Sequence, residues 1–445
     1  MPPSQQFLME YPSLWNSDYS GSFGPGSSKG DRMSENLRKD ADRIIDRAIK
    51  ESLPDSAVRK ALQEFPETKG KVVLIAVGKA AWQMADAAYN FLGDRIGSGV
   101  VVTKYDHSKG PIGPLEIYEG GHPVPDENSY KGTAAAIKAV GGLKEEDVVL
   151  FLVSGGGSAL FEKPLIPSSD MSRLTSELLA SGASITEMNT IRKRMSAVKG
   201  GKFALLCKPA KVFSIVLSDI IGDPLDMIAS GPAYPDSSTK EEAIAIAEAY
   251  GLTLTDEMRK LLSQETPKSL DNVETHVTGS VRELCASASR AAEELGYKPF
   301  VLTSYLSCIA REAGVVLSDI AMHNKDTKES LAFIMGGETV VKLTGKGKGG
   351  RNQELALAAA PLLSFVENAA VFSVGSDGTD GPTDAAGGYV DSDTLSVLKE
   401  KGIDIQKVLE DNDAYNALDK CGGLIITGPT GTNVNDVSVL LIKRN

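Results

Sequence analysis

The chain has 445 residues, 42% hydrophobic and 24% charged, with a net charge of −12 at neutral pH. That length exceeds one ordinary core and sets two domains as the expectation. The acidic balance excludes a nucleic-acid partner, because a phosphate backbone rewards a basic face, and no apolar run approaches the roughly 18 residues of a membrane helix.

Cys207, Cys285, Cys308 and Cys421 are scattered without a C-x-x-C pair, as expected of reduced thiols in a cytoplasmic protein. His107, His122, His276 and His323 show no ligand spacing, so no zinc site is expected. Residues 1–32 carry a Gly/Ser-rich stretch without the apolar centre of a signal peptide. They read as a disordered extension or tag, with Met33 starting the fold.

Residues 35–52 predict an amphipathic helix with Ile44, Ile45, Ala48 and Ile49 on one face. A second short helix follows Pro54. Residues 72–77 form a buried strand, turned by Gly78 and Lys79 into a helix over 80–91. Free N–H groups at such a turn suit an anion; a plain solvated lysine is the alternative for Lys79. After strands at 99–103 and 115–118, the loop Gly120–Asp126 ends at a helix cap. His122 in it is either a site residue or a loop histidine held by backbone.

The strand over 147–153 opens into Ser154, Gly155, Gly156, Gly157 and Ser158, a phosphate-cradle pattern. It is neither a Walker A loop nor a nucleophile elbow. Basic residues from Arg192 to Lys202, Lys199 among them, form either a solvated face or further anion donors. The strand over 211–217 runs into Asp219 and Asp223, a spacing that suits Mg2+ unless Asp223 simply caps the next turn.

The densest cluster lies at 335–384. Gly336, Gly337 and Glu338 close a short apolar run; Lys346 to Asn352 lead into a helix; a buried strand at 369–374 is followed by Asp377, Thr379, Asp380 and Asp384. Cations on one loop and carboxylates on the next are how an α/β enzyme assembles a site for an anion and a metal. A last loop, 428–436, is rich in hydroxyl and amide groups, Asn433 among them. Strands alternating with helices, several ending in Gly/Ser/Asp loops, predict two doubly wound parallel sheets with a cleft at the carboxyl ends.

Together, Ala76–Ala80, Gly121–Asp126, Ser154–Ser158, Asn189–Lys193, Gly336–Thr339, Gly349–Ala356, Asp377–Asp384 and Gly428–Asp436 resemble the MOFRL-type glycerate kinases over nearly the whole chain from about Glu35. The resemblance implies two α/β domains with mostly parallel sheets and an interdomain site: a Rossmann-like domain over 33–270 and a MOFRL domain over 271–445, its last strands free to return to the first. It implies ATP, Mg2+ and D-glycerate as ligands of a monomer or small homo-oligomer. Lys79 and Arg351 match the family's proposed active-site cations. On that reading Arg351 holds the glycerate carboxylate or the transferring phosphoryl group, and Lys79 neutralises phosphate oxygens. Gly78, the 154–158 loop, Lys199, Glu338, Asn352, Thr379 and Asn433 bind substrate or nucleotide. Asp219 or Asp377 holds Mg2+, and Asp384 or Asp223 accepts the hydroxyl proton. Two rivals stand beside it. An NAD(P)H-dependent hydroxypyruvate reductase lacks its dinucleotide fingerprint here, and a non-catalytic phosphometabolite sensor has little use for so many carboxylates.

Overall fold

The computed structural model describes residues 30–218, 220–222 and 224–444. The extension expected over 1–32 lies outside them except for its last three residues, which already belong to the helix Gly30–Glu51. Asp219 and Asp223 also lie outside.

The first sheet comprises β1 (Val72–Val77), β2 (Ile96–Lys104), β3 (Leu115–Gly120), β4 (Val148–Val153), β5 (Lys211–Leu217) and β6 (Val273–Gly279). Its order is β3-β2-β1-β4-β5-β6, with every pairing parallel. β1 and β4 are buried at every position. Helices cover both faces of a parallel sheet, which is why both strands read as unbroken apolar runs rather than alternating ones. This is the Rossmann order, and the sheet changes direction of growth between β1 and β4. Ligands settle in the crevice beyond the carboxyl ends at that point.

The second sheet comprises β7 (Lys298–Leu306), β8 (Leu331–Gly337), β9 (Ala369–Gly375), β10 (Gly387–Asp391), β11 (Leu424–Ile425) and β12 (Asp436–Ile442), in the order β11-β10-β9-β12-β8-β7. Six of the ten pairings in the two sheets are parallel, so the expected class of two α/β units holds. The four antiparallel pairings all lie in the second sheet, where a parallel doubly wound sheet was expected. The cause is local. No helix separates β9 from β10 or β11 from β12, and connections without a crossover helix favour a reversal of strand direction. β12 lies antiparallel between β8 and β9, so Asp436 at its start faces Gly337 and Gly375 at their ends.

The two units divide differently from the expected boundary at 270/271. β6 completes the first sheet, and Ser280 then caps the helix Val281–Glu294 of the second unit directly. The helix Gly30–Glu51 buries Leu37, Ala41, Ile44, Ile45 and Ala48 in one core with Leu284, Ile334, Phe372 and Val437. It therefore covers the second sheet rather than the first. Periodicity announces a buried face but not the surface that buries it. The last strand stays in the second sheet as well. All four cysteines are free: Cys207 and Cys285 buried, Cys308 exposed, Cys421 between. Among the described residues no helix is long and apolar enough to cross a membrane.

Candidate active site

Two groups of side chains meet the conditions for chemistry, one at the carboxyl end of each sheet. The first sits at the β1/β4 switch point. Gly78 has φ +117, and a Cβ there would stand 2.3 Å from Ser154 Oγ, so only glycine lets the two strand ends lie side by side. The Lys79 N–H donates to the Gly155 carbonyl at 2.8 Å. Ser154 is buried, and its hydroxyl accepts the Ala80 N–H at 3.0 Å. It therefore builds the turn instead of facing a ligand. A Cβ on Gly156 would lie 3.0 Å from Lys79 Cγ and 3.1 Å from His122 Cδ2, so these three loops converge. Among the described residues the Lys79 ammonium has no hydrogen-bond or ion-pair partner.

Beneath this loop lies a polar scaffold that sequence reasoning misread or missed. Lys199 is fully buried; its ammonium donates to the carbonyls of Ser158 at 2.8 Å and Phe161 at 3.1 Å and stands 3.3 Å from Glu162. Desolvation pulls it down to about 8. It is a buttress for the glycine loop, not the ligand-binding residue expected. The Ser158 hydroxyl lies 3.0 Å from that of Ser230, which donates to Asn189 Oδ1 at 3.0 Å. Ala229 and Ser230 hold φ of 52 and 60. Non-glycine residues there cost about 1–3 kcal/mol each and cluster at functional sites. Nothing local in the sequence marks either one.

The second group is organised by Arg351, the first residue of the helix Arg351–Leu363. Its Nε and Nη2 donate to the two oxygens of Asp436 at 2.6 and 3.0 Å, and Nη1 stands 3.0 Å from Glu338 Oε1. Asp436 is buried, and desolvation raises its carboxyl despite the arginine. Asp380, also buried, accepts the N–H groups of Asn352 at 3.1 Å and Gln353 at 2.9 Å, capping the helix that carries Arg351. Burial pushes Asp380 up to about 6. A Cβ on Gly375 would stand 3.3 Å from Asp377 Oδ1 and 3.4 Å from Asp436 Oδ1. These distances bring an oxygen of each carboxylate to the same side of Gly375.

The remaining expected site residues separate by their contacts. Asn352 is buried and bonds Asp380 and Ser373, so it secures the helix start. Asp384 is exposed and accepts from the Tyr415 hydroxyl at 2.7 Å, which lowers its carboxyl. That bond turns it to Tyr415 and not to Arg351, against the proton-accepting role expected of it. Thr379 and Asn433 are exposed; the Thr379 N–H donates to Asp377 Oδ1 at 3.0 Å. Asp436 was overlooked because only its antiparallel insertion brings it beside Arg351. Its one sequence signal is its place between a hydroxyl-rich loop and a strand.

The loops of the two sheets approach each other. A Cβ on Gly431 would lie 3.8 Å from Gln83 Oε1, in the helix that follows Lys79. A Cβ on Gly222, beyond β5, would lie 3.0 Å from Tyr305 at the end of β7.

Residues 40–263 match the domain of unknown function DUF4147, and residues 331–436 match the MOFRL family. A D-glycerate 2-kinase from Thermotoga maritima is 52% identical over 92% of this chain and 99% of its own length. The chain belongs to the glycerate 2-kinase family. A family member from Pyrococcus horikoshii, named glycerate 2-kinase, is 40% identical over 92% of this chain and 98% of its own length. The crystal structure of a glycerate kinase from Thermotoga maritima covers 92% of this chain and 100% of its own, with a TM-score of 0.87. In this member of the glycerate 2-kinase family, both groups described above fall at strand ends that turn toward one another.

Proposed function

We propose that this protein transfers a phosphoryl group from ATP to the 2-hydroxyl of D-glycerate, giving 2-phosphoglycerate and ADP. The observation that carries the reading is the Arg351–Asp436 fork at the start of a capped helix, set against a Lys79 ammonium that has no partner among the described residues, on the opposite Rossmann crevice. Phosphoryl transfer asks a protein chiefly for positioning and charge neutralisation, and these are what the two groups offer. Two donors of Arg351 engage Asp436 and a third faces Glu338, which fixes the plane of the guanidinium. Its remaining N–H groups bind the glycerate carboxylate or the transferring phosphoryl oxygens. Lys79 adds a mobile charge, and the Gly155–Gly157 backbone adds N–H donors.

Among the described residues no cluster of three or more His, Cys, Asp or Glu converges as a metal site. Mg2+ needs less: one or two carboxylates, with substrate phosphates and waters completing its shell. Asp377 and Asp436, with an oxygen of each beside Gly375, meet that requirement, and these two residues would hold the ion. When bound, it would supply positive charge to the phosphoryl oxygens as their bonds change. The ATP requirement and four free thiols support a cytoplasmic setting.

The test is a phosphorus NMR spectrum of the protein with MgATP and D-glycerate. A 2-phosphoglycerate resonance growing in step with ADP is expected. Growth of 3-phosphoglycerate would overturn the position of attack. NADH oxidation by hydroxypyruvate without phosphoryl transfer, or binding without ADP release, would overturn the kinase.

A further inference from the structure

On the β2–β3 side of the switch point lies a cleft of about 570 Å³ that the residues discussed so far do not line. It is a shallow depression open to solvent, not an enclosed cavity. Tyr105 follows β2 directly, and Ser108, Pro111, Tyr118, Glu119 and Asn128 complete the wall. The segment forming it is tied to the phosphate-side turn. His107 Nδ1–H donates to the Lys79 carbonyl at 2.9 Å, and the Thr103 hydroxyl donates to the same oxygen at 3.3 Å. The segment from Thr103 to Pro111 thus touches both the cleft wall and the turn that carries Lys79.

The wall is preorganised. The Tyr105 hydroxyl donates to Asp126 at 2.6 Å and accepts from Asn128 at 2.9 Å, while the Tyr118 hydroxyl donates to Glu116 at 2.9 Å. The Trp82 indole donates to the Gly110 carbonyl at 2.8 Å, pinning the loop that carries Ser108 and Pro111. Glu119 Oε1 accepts the N–H groups of His107 at 3.1 Å and Ser108 at 2.9 Å. Its second oxygen has no partner among the described residues. The carboxylates of Glu116, Glu119 and Asp126 make the cleft hostile to an anion. Its rings and amide suit a flat, neutral heterocycle, and the open Glu119 oxygen suits sugar hydroxyls.

We infer that this cleft takes the purine nucleoside end of the phosphoryl donor, with Tyr105 and Tyr118 against the base and Glu119 accepting from the ribose. The inference rests on the kinase reading for the identity of the donor. It places the nucleoside and the phosphates on adjacent parts of one Rossmann crevice, with the loop from Tyr105 to Pro111 as the shared wall.

The experiment compares wild type, Tyr105→Ala, Tyr105→Phe and Glu119→Gln in steady-state kinetics and in calorimetric binding of ADP and adenosine. Tyr105→Ala and Glu119→Gln should each raise the KM for ATP and the Kd of ADP about tenfold, the scale of a lost base contact. The KM for glycerate should move less than about twofold in that scale of effect. Tyr105→Phe keeps the ring but loses the Asp126 and Asn128 bonds, and should raise the KM for ATP less than Tyr105→Ala does. Adenosine, which has no phosphates, should displace ADP from wild type but not from Tyr105→Ala. Unchanged ATP and ADP parameters in an active enzyme would overturn the cleft and leave the kinase standing. Absence of turnover with the same binding pattern intact would overturn the kinase and leave the cleft standing. A wild type that binds neither ADP nor adenosine would overturn the cleft.

Discussion

Arg351 meets Asp436 through two N–H···O bonds of 2.6 and 3.0 Å, a geometry only a planar fork can make. Arg351→Lys keeps the charge and loses the fork. It should lower kcat/KM about 100-fold or more, the scale of one misplaced electrostatic donor, while thermal unfolding shifts little. Unchanged turnover would remove Arg351 from the chemistry. Gly375 gives a second test. Its backbone lies outside the left-handed region, so alanine meets a steric limit alone. The new Cβ would press on the Asp377 and Asp436 oxygens and crowd the Thr379 carbonyl, 2.9 Å away. Gly375→Ala should raise the Mg2+ concentration needed for half-maximal rate. An unaltered Mg2+ titration would place the ion elsewhere. Lys79 and Arg351 were legible in the sequence because each is a cation beside glycines at a strand-to-helix turn. Lys199 also stands beside glycines, between the helices Ile185–Met195 and Lys202–Leu206, yet it is fully buried: sequence displays a charge but not its depth.

At the scale of elements, the helix Arg351–Leu363 starts where it does because Asp380 reaches from the loop after β9 to cap it. A Cβ on Gly350 would stand 2.2 Å from Asp380 Cγ, so the approach depends on glycine. Burial raises the Asp380 carboxyl from 3.8 to about 6. Within that window the native state holds a proton that the unfolded chain has released. The stability linked to this group is therefore full below the unfolded value and is lost as pH rises through the folded one. Asp380→Asn does not titrate and loses one capping bond, a fixed cost of about 1 kcal/mol. Its Tm relative to wild type should climb between about pH 4 and pH 7. A difference constant across that range would show that the carboxylate is not held against its charge. The helix was visible in the sequence as a glycine stop before an apolar segment. Its cap was not, because Asp380 lies 27 residues beyond the last N–H it accepts.

At the scale of the molecule, the first and the last described elements lie in the same unit. The helix Gly30–Glu51 and β12 share one core, and the Rossmann unit is inserted between that helix and the helix Val281–Glu294. The alternation of strands and helices made both units legible, yet it could not reveal that the first helix belongs to the second. The cores respect this division: residues 57–277 build three clusters of their own, while the second unit draws on residues 37–49 as well as 281–442. Ile45 is 2% exposed against that second core, so Ile45→Ala should cost about 2–4 kcal/mol through the cavity it leaves. The loss should fall on the second unit alone. A fragment spanning 53–280 should unfold cooperatively by itself. A fragment spanning 281–445 should gain native near-UV dichroism only when residues 30–52 are fused to it or added as a peptide, because without them the helix Val281–Glu294 is left to cover that face of the sheet alone. Native dichroism of the shorter fragment alone would refute the shared core and return the first helix to the role of an accessory.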